Sequence, residues 1–243
     1  MTVPWPFAQW GLDIMGSFSI ALWQLKFLIV SIDYFTKWIE AEALATIIEK
    51  NVRSFVWKNI IYRFGIPRVL VSDNGKKFDN ESFRDFCSQL GIKNHYSFPT
   101  HLQANGQVEV TNRSLLRIIK TRLEGLKGVW PEELLSVLWA YRTTARTPTG
   151  ETSFWLAYGS EIVITVEVGL ISYRVGNHNE RKNEEVLHLQ LDLLDEVRAI
   201  VEQKLARYQD LMAKLYNSWV RHRDFKVGDL ILRKVMGAAR DPT

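Results

Sequence analysis

Residues 8–18 read AQWGLDIMGSF, and this stretch sets the fold because its apolar side chains alternate. One side of the predicted strand carries Trp10, Leu12 and Ile14, and the other carries Gly11, Asp13 and Met15. A period of two is typical of a β-strand, so Asp13 is expected on the face opposite the apolar one. The stretch KFLIVSIDY at 26–34 is almost continuously apolar and predicts a strand covered on both faces. The two strands are expected to form a hairpin around residues 21–25.

The pattern downstream predicts three more strands with helices between them. Residues 36–44 continue the sheet, and residues 46–64 form an amphipathic helix that ends at Gly65. A short buried strand at 68–75, a helix at 79–91 capped by Asp79 and a strand at 92–97 follow. We therefore predict an α/β domain with a mixed five-stranded sheet flanked by helices.

The second half of the chain is predicted to be mainly helical. After a polar loop at 97–107, one helix continues to about residue 126 and another spans 130–144, whereas 147–159 is interpreted as a loop. Residues 180–222 predict one long helix with a single apolar seam, which has to pack on the core, on a partner or on a copy of itself. The seam comprises Val186, Leu189, Leu193, Val197, Ile200, Leu205, Tyr208, Leu211 and Leu215. A strand-like segment, VGDLILRKV, follows at 227–235.

Composition excludes several classes of protein. The 243 residues are 47% hydrophobic and include one cysteine, Cys87, which excludes a disordered chain, a disulfide scaffold and a multi-cysteine zinc site. No apolar run reaches membrane-spanning length and no signal peptide is evident, so we expect a soluble intracellular protein.

The charge is unevenly distributed along the chain. Residues 1–150 carry 18 Lys and Arg against 13 Asp and Glu (net +5), whereas residues 151–243 carry 13 against 14 (net −1). A nucleic-acid surface is therefore expected on the first part.

Three carboxylates stand out by their positions. Asp13 lies within a strand, Asp73 lies where a buried strand ends, and Glu109 lies in the first turns of a helix, with 35 residues between Asp73 and Glu109. Carboxylates without His or Cys partners favour hard ions such as Mg²⁺ or Mn²⁺. Two such ions held close together support phosphoryl transfer. The three acids are therefore candidate catalytic and metal-binding residues.

The helix after Glu109 predicts a nucleic-acid surface. Arg113, Arg117 and Lys120 follow Glu109 at helical spacing, so they share its face and suit a phosphate backbone. The neutral candidates for DNA binding nearby are Asn105, Gln107 and Asn112. Each feature alone has an ordinary structural explanation: Asp73 as a turn residue, Glu109 as a helix-dipole carboxylate, and the cations as a solvated face. The functional interpretation depends on their joint occurrence.

Several motifs resemble the integrases of gypsy-class LTR retrotransposons. The resemblance is carried by Trp10-Gly11-Leu12-Asp13, Ser31-Ile32-Asp33-Tyr34-Phe35-Thr36-Lys37-Trp38, Phe64-Gly65-Ile66-Pro67, Ser72-Asp73-Asn74-Gly75, Asn105-Gly106-Gln107-Val108-Glu109 and Trp139-Ala140-Tyr141-Arg142-Thr143-Thr144. It implies a ribonuclease-H-like catalytic core over residues 1–170, a linker and long helix over 171–222, and a truncated SH3-like module over 223–243.

The resemblance also implies an activity. Asp13, Asp73 and Glu109 would bind two Mg²⁺ or Mn²⁺ ions, and the enzyme would trim the 3′ ends of element DNA and join them to target DNA. DNA is then the partner, a homo-oligomer the expected assembly and the nucleus the site of action. Asp33 is a fourth acid, which we interpret as a structural or supporting residue because the family's first catalytic Asp lies in the Trp-Gly-x-Asp strand.

Some features depart from the family. Its paired His and Cys zinc domain has no counterpart among these residues, and prolines usual in the family are replaced by Ser17, Lys76, Ser153 and Thr165. Each lost proline costs about 0.4–1 kcal/mol, which the fold should survive. The pattern leaves an alternative open: a decayed or repurposed fragment that binds nucleic acid without catalysis. A transposase or ribonuclease-H-type nuclease with the same three acids is a further alternative.

Overall fold

The sheet is the centre of the fold. The computed structural model describes residues 5–73, 77–97, 120–123, 125–146, 149–160 and 179–219. Its strands are β1 (Gln9–Gly16), β2 (Phe27–Asp33), β3 (Ile39–Leu44), β4 (Val69–Asp73) and β5 (Lys93–Ser97), in the spatial order β3-β2-β1-β4-β5. The β1–β2 and β2–β3 pairs are antiparallel, and the β1–β4 and β4–β5 pairs are parallel. The predicted mixed five-stranded sheet is confirmed, with β1 and its Asp13 at the centre.

Helices cover the sheet and extend beyond it. The first, α1, begins as Glu49–Phe55, continues without a break through a π-helical turn at Val56–Ile61 and ends with Tyr62–Phe64. The others are α2 (Glu81–Gln89), α3 (Trp130–Thr143), α4 (Ser153–Tyr158) and α5 (Glu180–Trp219), and residues 120–123 are also helical. No helix in the described ranges is long and apolar enough to cross a membrane.

Two apolar clusters cover the two faces of the sheet. On the face covered by α1 and α2, called the α1 face, Trp10, Leu12 and Ile29 of the strands pack against apolar side chains of these helices. On the opposite face, called the α3 face, Met15 and Val30 pack against Leu123 and apolar side chains of α3. The side chains of β2 therefore have apolar partners on both faces of the sheet, as the continuous apolar run of this strand predicts.

Two local predictions are wrong. The N-cap of α2 is Asn80 rather than Asp79: the Asn80 side chain accepts a hydrogen bond from the Phe83 backbone N–H at 2.9 Å, whereas Asp79 forms an ion pair with Arg84 at 3.3 Å. The predicted loop at 147–159 contains α4, which begins after a Thr152 cap and ends at Gly159 with φ of +70°. The helix is short because its cap and its left-handed end residue are only seven positions apart.

The long helix α5 is confirmed, but its single seam is not. Leu194 and Val201 are buried, although neither belongs to the predicted seam. The Arg198 guanidinium donates to the Leu156 carbonyl oxygen at 3.1 Å, and Leu194 lies against Gly159. This stripe therefore docks α5 on α4. The predicted start of a β-module at 223–243 lies outside the described residues, and the predicted domain boundaries stay predictions.

Candidate active site

Asp13 projects from the central strand toward the α3 face. It pairs with Val30 across the β1–β2 ladder, and Val30 belongs to the α3-face cluster. Asp13 is partly exposed, and its carboxylate accepts a hydrogen bond from the Ile14 backbone N–H at 2.7 Å. The sequence-based assignment of Asp13 to the face opposite Trp10 is thus confirmed.

Asp73 ends the neighbouring parallel strand, where its side chain is exposed. The last recorded β1–β4 pair is Gly11 with Val71, and Asp13 and Asp73 each lie two residues beyond it. Side chains two apart on a strand share a face, so both carboxylates leave the sheet on the α3 face. Asp13 and Asp73 are therefore oxygen donors on the same face of two adjacent parallel strands.

The other predicted site residues fall mostly outside the described ranges. Glu109 lies there, and so do the DNA-binding candidates Asn105, Gln107, Asn112, Arg113 and Arg117. Lys120 is described, as the first residue of the helical stretch 120–123, and is half-buried. Over the described ranges, no three His, Cys, Asp or Glu side chains form a group able to hold a metal ion. The pair Asp13 and Asp73 supplies hard oxygen donors that fit Mg²⁺ or Mn²⁺, and the predicted third donor is Glu109.

A tyrosine that the sequence analysis did not single out as a site residue packs against Gly11, two residues before Asp13. A Cβ atom built on Gly11 would lie 2.8 Å from Cε1 and 3.2 Å from the hydroxyl of Tyr34. Because that Cβ would point to the same face as Asp13, the Tyr34 ring covers the backbone two residues before Asp13. Gly11 in the Trp-Gly-x-Asp motif is therefore explained by packing against the buried Tyr34 ring.

Asp33 occupies a different place in the sheet. It pairs with Trp10, so its side chain faces α1 rather than α3 and lies three residues along the ladder from Asp13. Its carboxylate is fully buried and accepts hydrogen bonds from the Phe7 backbone N–H at 3.0 Å and from the backbone N–H and hydroxyl of Thr36, both at 2.7 Å. This geometry agrees with the structural interpretation of Asp33.

Burial shifts the titration of Asp33 and of its neighbour Lys37. Desolvation raises the pKa of Asp33 from 3.8 to about 6, although the bonds from Thr36 and the charge of Lys37 oppose the shift. Desolvation also lowers the pKa of Lys37 from 10.5 to about 8, and Asp33 opposes that shift. The two residues lie in the turn between β2 and β3, where the Lys37 backbone N–H donates to the Asp33 carbonyl oxygen at 3.0 Å.

A further buried acid, Glu40, is held by two arginines. Its carboxylate lies 2.8 Å from Arg63 of α1 and 3.1 Å from Arg142 of α3, and it accepts a bond from the Trp38 indole N–H at 2.7 Å. Arg142 also donates to the Ile39 carbonyl oxygen at 2.7 Å. Glu40 therefore joins helices from both faces around the sheet edge. The Arg142 motif, quoted above only as part of a resemblance, has this structural role.

A surface groove of about 1080 Å³ lies away from the aspartates. It runs between α1 and α2, and its lining includes Lys50, Trp57 and Asp85. Since α1 and α2 cover the face opposite Asp13 and Asp73, the groove is not part of the candidate site.

Comparison with known proteins agrees with this geometry. Residues 4–101, which span all five strands, match the integrase core domain family. Over these residues the chain is similar to integrase core domains. It is also similar to retroviral polyproteins. The Gag-Pol polyprotein of feline leukemia virus is 33% identical over 64% of the chain, and the Pol polyprotein of radiation murine leukemia virus is 29% identical over 93% of it. The chain spans only 9% and 37% of those two polyproteins.

The fold has counterparts among solved structures. The chain resembles a chain of the simian T-cell lymphotropic virus intasome solved with a regulatory subunit of PP2A, with a TM-score of 0.54 and 21% identity. The match covers 68% of this chain and 59% of that one. The predicted ribonuclease-H-like fold and the resemblance to retroelement integrases are therefore confirmed, and a gypsy-class origin is consistent with them.

Proposed function

We propose that this integrase core carries out metal-dependent processing of DNA 3′ ends and their transfer to target DNA, as part of a retrotransposon integrase. The observation that supports the proposal most directly is the placement of Asp13 and Asp73. They lie on one face of adjacent parallel strands, two residues beyond the last recorded pair, and inside the region that matches the integrase core family. The carboxyl end of a parallel strand is a common location for ligand-binding side chains in α/β sheets.

Asp13, Asp73 and Glu109 would hold the two ions. When bound, Mg²⁺ or Mn²⁺ would activate the attacking oxygen and stabilise the leaving oxygen of the phosphodiester. The sheet contributes rigidity, since β1 is paired with β2 at Asp13 and with β4 up to Gly11, two residues before it. Tyr34 fills the space above Gly11 and so fixes the packing of β1 next to Asp13.

DNA is the proposed partner, with a homo-oligomer as the assembly and the nucleus as the location. The Arg113, Arg117 and Lys120 face would neutralise backbone phosphates, and Asn105, Gln107 and Asn112 would donate hydrogen bonds near the reacting phosphate. The net charge of +5 over residues 1–150 supports this placement of the DNA surface.

The test is a disintegration assay on branched DNA with Mn²⁺, the least demanding reaction of an isolated core. Asp73→Asn should lower the yield by about 100-fold or more, because it removes a charged oxygen donor at the centre of the site. The matched control is Asp85→Asn, an exposed aspartate of α2 on the other side of the sheet, which should retain wild-type yield.

Two results would count against the proposal. One is equal activity in the wild type and in Asp73→Asn. The other is absence of product from folded wild-type protein that still binds DNA with a steep salt dependence and without divalent metal. The second result would favour the alternative of a fragment that binds nucleic acid without catalysis.

A further inference from the structure

The hairpin between β1 and β2 ends in an apolar tip that is exposed. The side chains of Ile20, Leu22 and Trp23 are 61%, 70% and 85% exposed, and we call these three residues the hairpin tip. Residues 17–25, which form the end of the hairpin, include no charged side chain. Exposed patches of large apolar side chains commonly mark a binding site, so we expect the hairpin tip to have a partner.

The backbone at Trp23 and Gln24 is strained. Their φ angles are +62° and +61°, in the left-handed region, and the Leu25 backbone N–H donates to the Leu22 carbonyl oxygen at 3.4 Å across them. Hairpin turns that require this conformation favour Asn and Gly, because most residues with a Cβ atom adopt it only at a cost in free energy. Trp23 is therefore a bulky residue at a position that favours glycine, and its exposure means that packing does not offset the cost. Strained residues of this kind cluster at binding and catalytic sites.

The hairpin tip lies at the same end of the sheet as Asp13 and Asp73. Strand β1 runs from Asp13 toward the tip, and its recorded pairing with β2 continues to Gly16 and Phe27, about 10 Å beyond Asp13. Strand β4 is parallel to β1 and ends at Asp73, so its carboxyl end points the same way. The hairpin tip therefore projects from the edge of the sheet at which DNA would bind.

Contacts with α3 hold the hairpin on the face that carries the two aspartates. The indole N–H of Trp130, the first residue of α3, donates to the Ser19 carbonyl oxygen at 2.9 Å, and Phe18 stacks on the Trp130 ring with 4.8 Å between the ring centroids. Leu123 belongs to the same apolar cluster as Phe18, so the helical stretch that contains Leu123 lies next to the hairpin. Arg122 of that stretch is exposed. The hairpin tip is therefore held in place, and one element that holds it carries an exposed cation.

The charges of the hairpin suit a polyanion. Residues 14–32 contain one basic side chain, Lys26, and no acidic one. Protein surfaces that bind single-stranded nucleic acid combine aromatic side chains, on which bases stack, with cations that follow the backbone. Trp23, Lys26 and Arg122 supply both kinds of group. An apolar protein surface offers nothing to the two cations, so nucleic acid is the partner that these charges favour.

We propose that the hairpin tip binds DNA at unpaired bases, with the Trp23 indole stacked on the face of one base. Taking DNA as the partner rests on the proposed function. Inside a continuous duplex both faces of each base are covered by its neighbours, whereas a base in a single-stranded tail has a face open to the indole. Trimming of a 3′ end would leave such unpaired bases on the complementary strand, at the edge of the sheet from which the tip projects.

The first experiment measures DNA binding by fluorescence anisotropy without divalent metal, so that its outcome does not depend on catalysis. The probe is a labelled duplex with a short single-stranded tail. Trp23→Ala should raise the dissociation constant by about 5- to 100-fold, which is the effect of losing one stacked base. The salt dependence of this constant should stay unchanged, because no phosphate contact is lost. A relaxed circular duplex, which has no unpaired bases, should bind both proteins equally.

Two substitutions serve as controls in the same assay. Trp57→Ala removes a tryptophan that is 49% exposed on α1, on the other side of the sheet, and should leave the affinity unchanged. Trp23→Phe keeps an aromatic ring and should retain most of the wild-type affinity. Equal affinities of the wild type and Trp23→Ala for the tailed duplex would overturn this inference alone. A wild type that binds neither DNA would overturn it together with the proposed function.

The second experiment separates binding from folding. Trp23→Gly should raise the melting temperature, because glycine adopts the left-handed φ without strain and the exposed indole contributes little packing. The same variant should lose affinity for the tailed duplex as Trp23→Ala does. Opposite changes in stability and affinity would show that this tryptophan serves binding rather than the fold. A lower melting temperature together with a lower affinity would assign Trp23 to the fold and refute the proposal.

Discussion

Replacing Gly11 with alanine should destabilise the protein because of one neighbour, Tyr34. The new Cβ would lie 2.8 Å from Cε1 of the tyrosine ring, closer than carbon atoms pack, so the ring or the strand has to shift. Overpacking of this kind costs about 1–3 kcal/mol. Gly11 has no left-handed backbone angle, so alanine also brings a gain of about 0.4–1 kcal/mol from a less disordered unfolded chain. The expected net loss is about 1–2 kcal/mol.

Removing the Tyr34 ring should reverse the sign of the effect. In a Tyr34→Val background the ring is gone, so the same Gly11→Ala change should be neutral or stabilising by up to about 1 kcal/mol. Urea unfolding of the four proteins gives the coupling directly, provided that the slope with denaturant is unchanged. Equal destabilisation by Gly11→Ala in both backgrounds would show that Tyr34 is not the reason for this glycine.

Two further predictions concern buried charges. Between pH 4 and pH 7 the wild type should lose stability relative to Asp33→Asn by up to about 3 kcal/mol, because the unfolded chain ionises Asp33 near 3.8 whereas the folded protein resists ionisation until about 6. Urea unfolding across this range measures the difference, and a flat or rising difference would contradict the raised pKa. Arg142→Met should cost about 2–4 kcal/mol, since it leaves the buried Glu40 with one arginine. Arg181→Met breaks only an exposed pair with Glu185 and should change stability by less than about 0.5 kcal/mol in the same thermal-unfolding series.

The sheet could be predicted from the sequence because its signals are local. The alternation around Asp13 and the continuous apolar run of β2 each depend on a few neighbouring residues and predict both the strands and their covered faces. The long helix was predictable for the same reason. The cap of α2 was assigned one residue too early, since Asp79 and Asn80 are adjacent residues that both favour the N-cap and only the bond to Phe83 distinguishes them.

The failures concern interactions between residues far apart in the chain. The helix α4 was interpreted as a loop because its stability comes from docking: Arg198 bonds to Leu156, 42 positions away. The same docking divides the apolar residues of α5 into two stripes. The spacing of apolar residues in the sequence cannot predict this division, because it does not identify α4 as the packing partner. Tyr34 was missed because its contact with Gly11 spans a hairpin and leaves no pattern in either stretch.

The acids of the sheet show how neighbours assign roles that residue type does not. Asp13, Asp33, Glu40 and Asp73 all lie in or at the end of strands. Asp33 and Glu40 are buried and are occupied by backbone donors or by arginines, so their carboxylates close a turn and join two helices. Asp13 and Asp73 instead reach one partly exposed face at the end of a parallel pair. A metal ion needs oxygen donors that it can approach from solvent, which is why Asp13 and Asp73 are the pair proposed for metal binding.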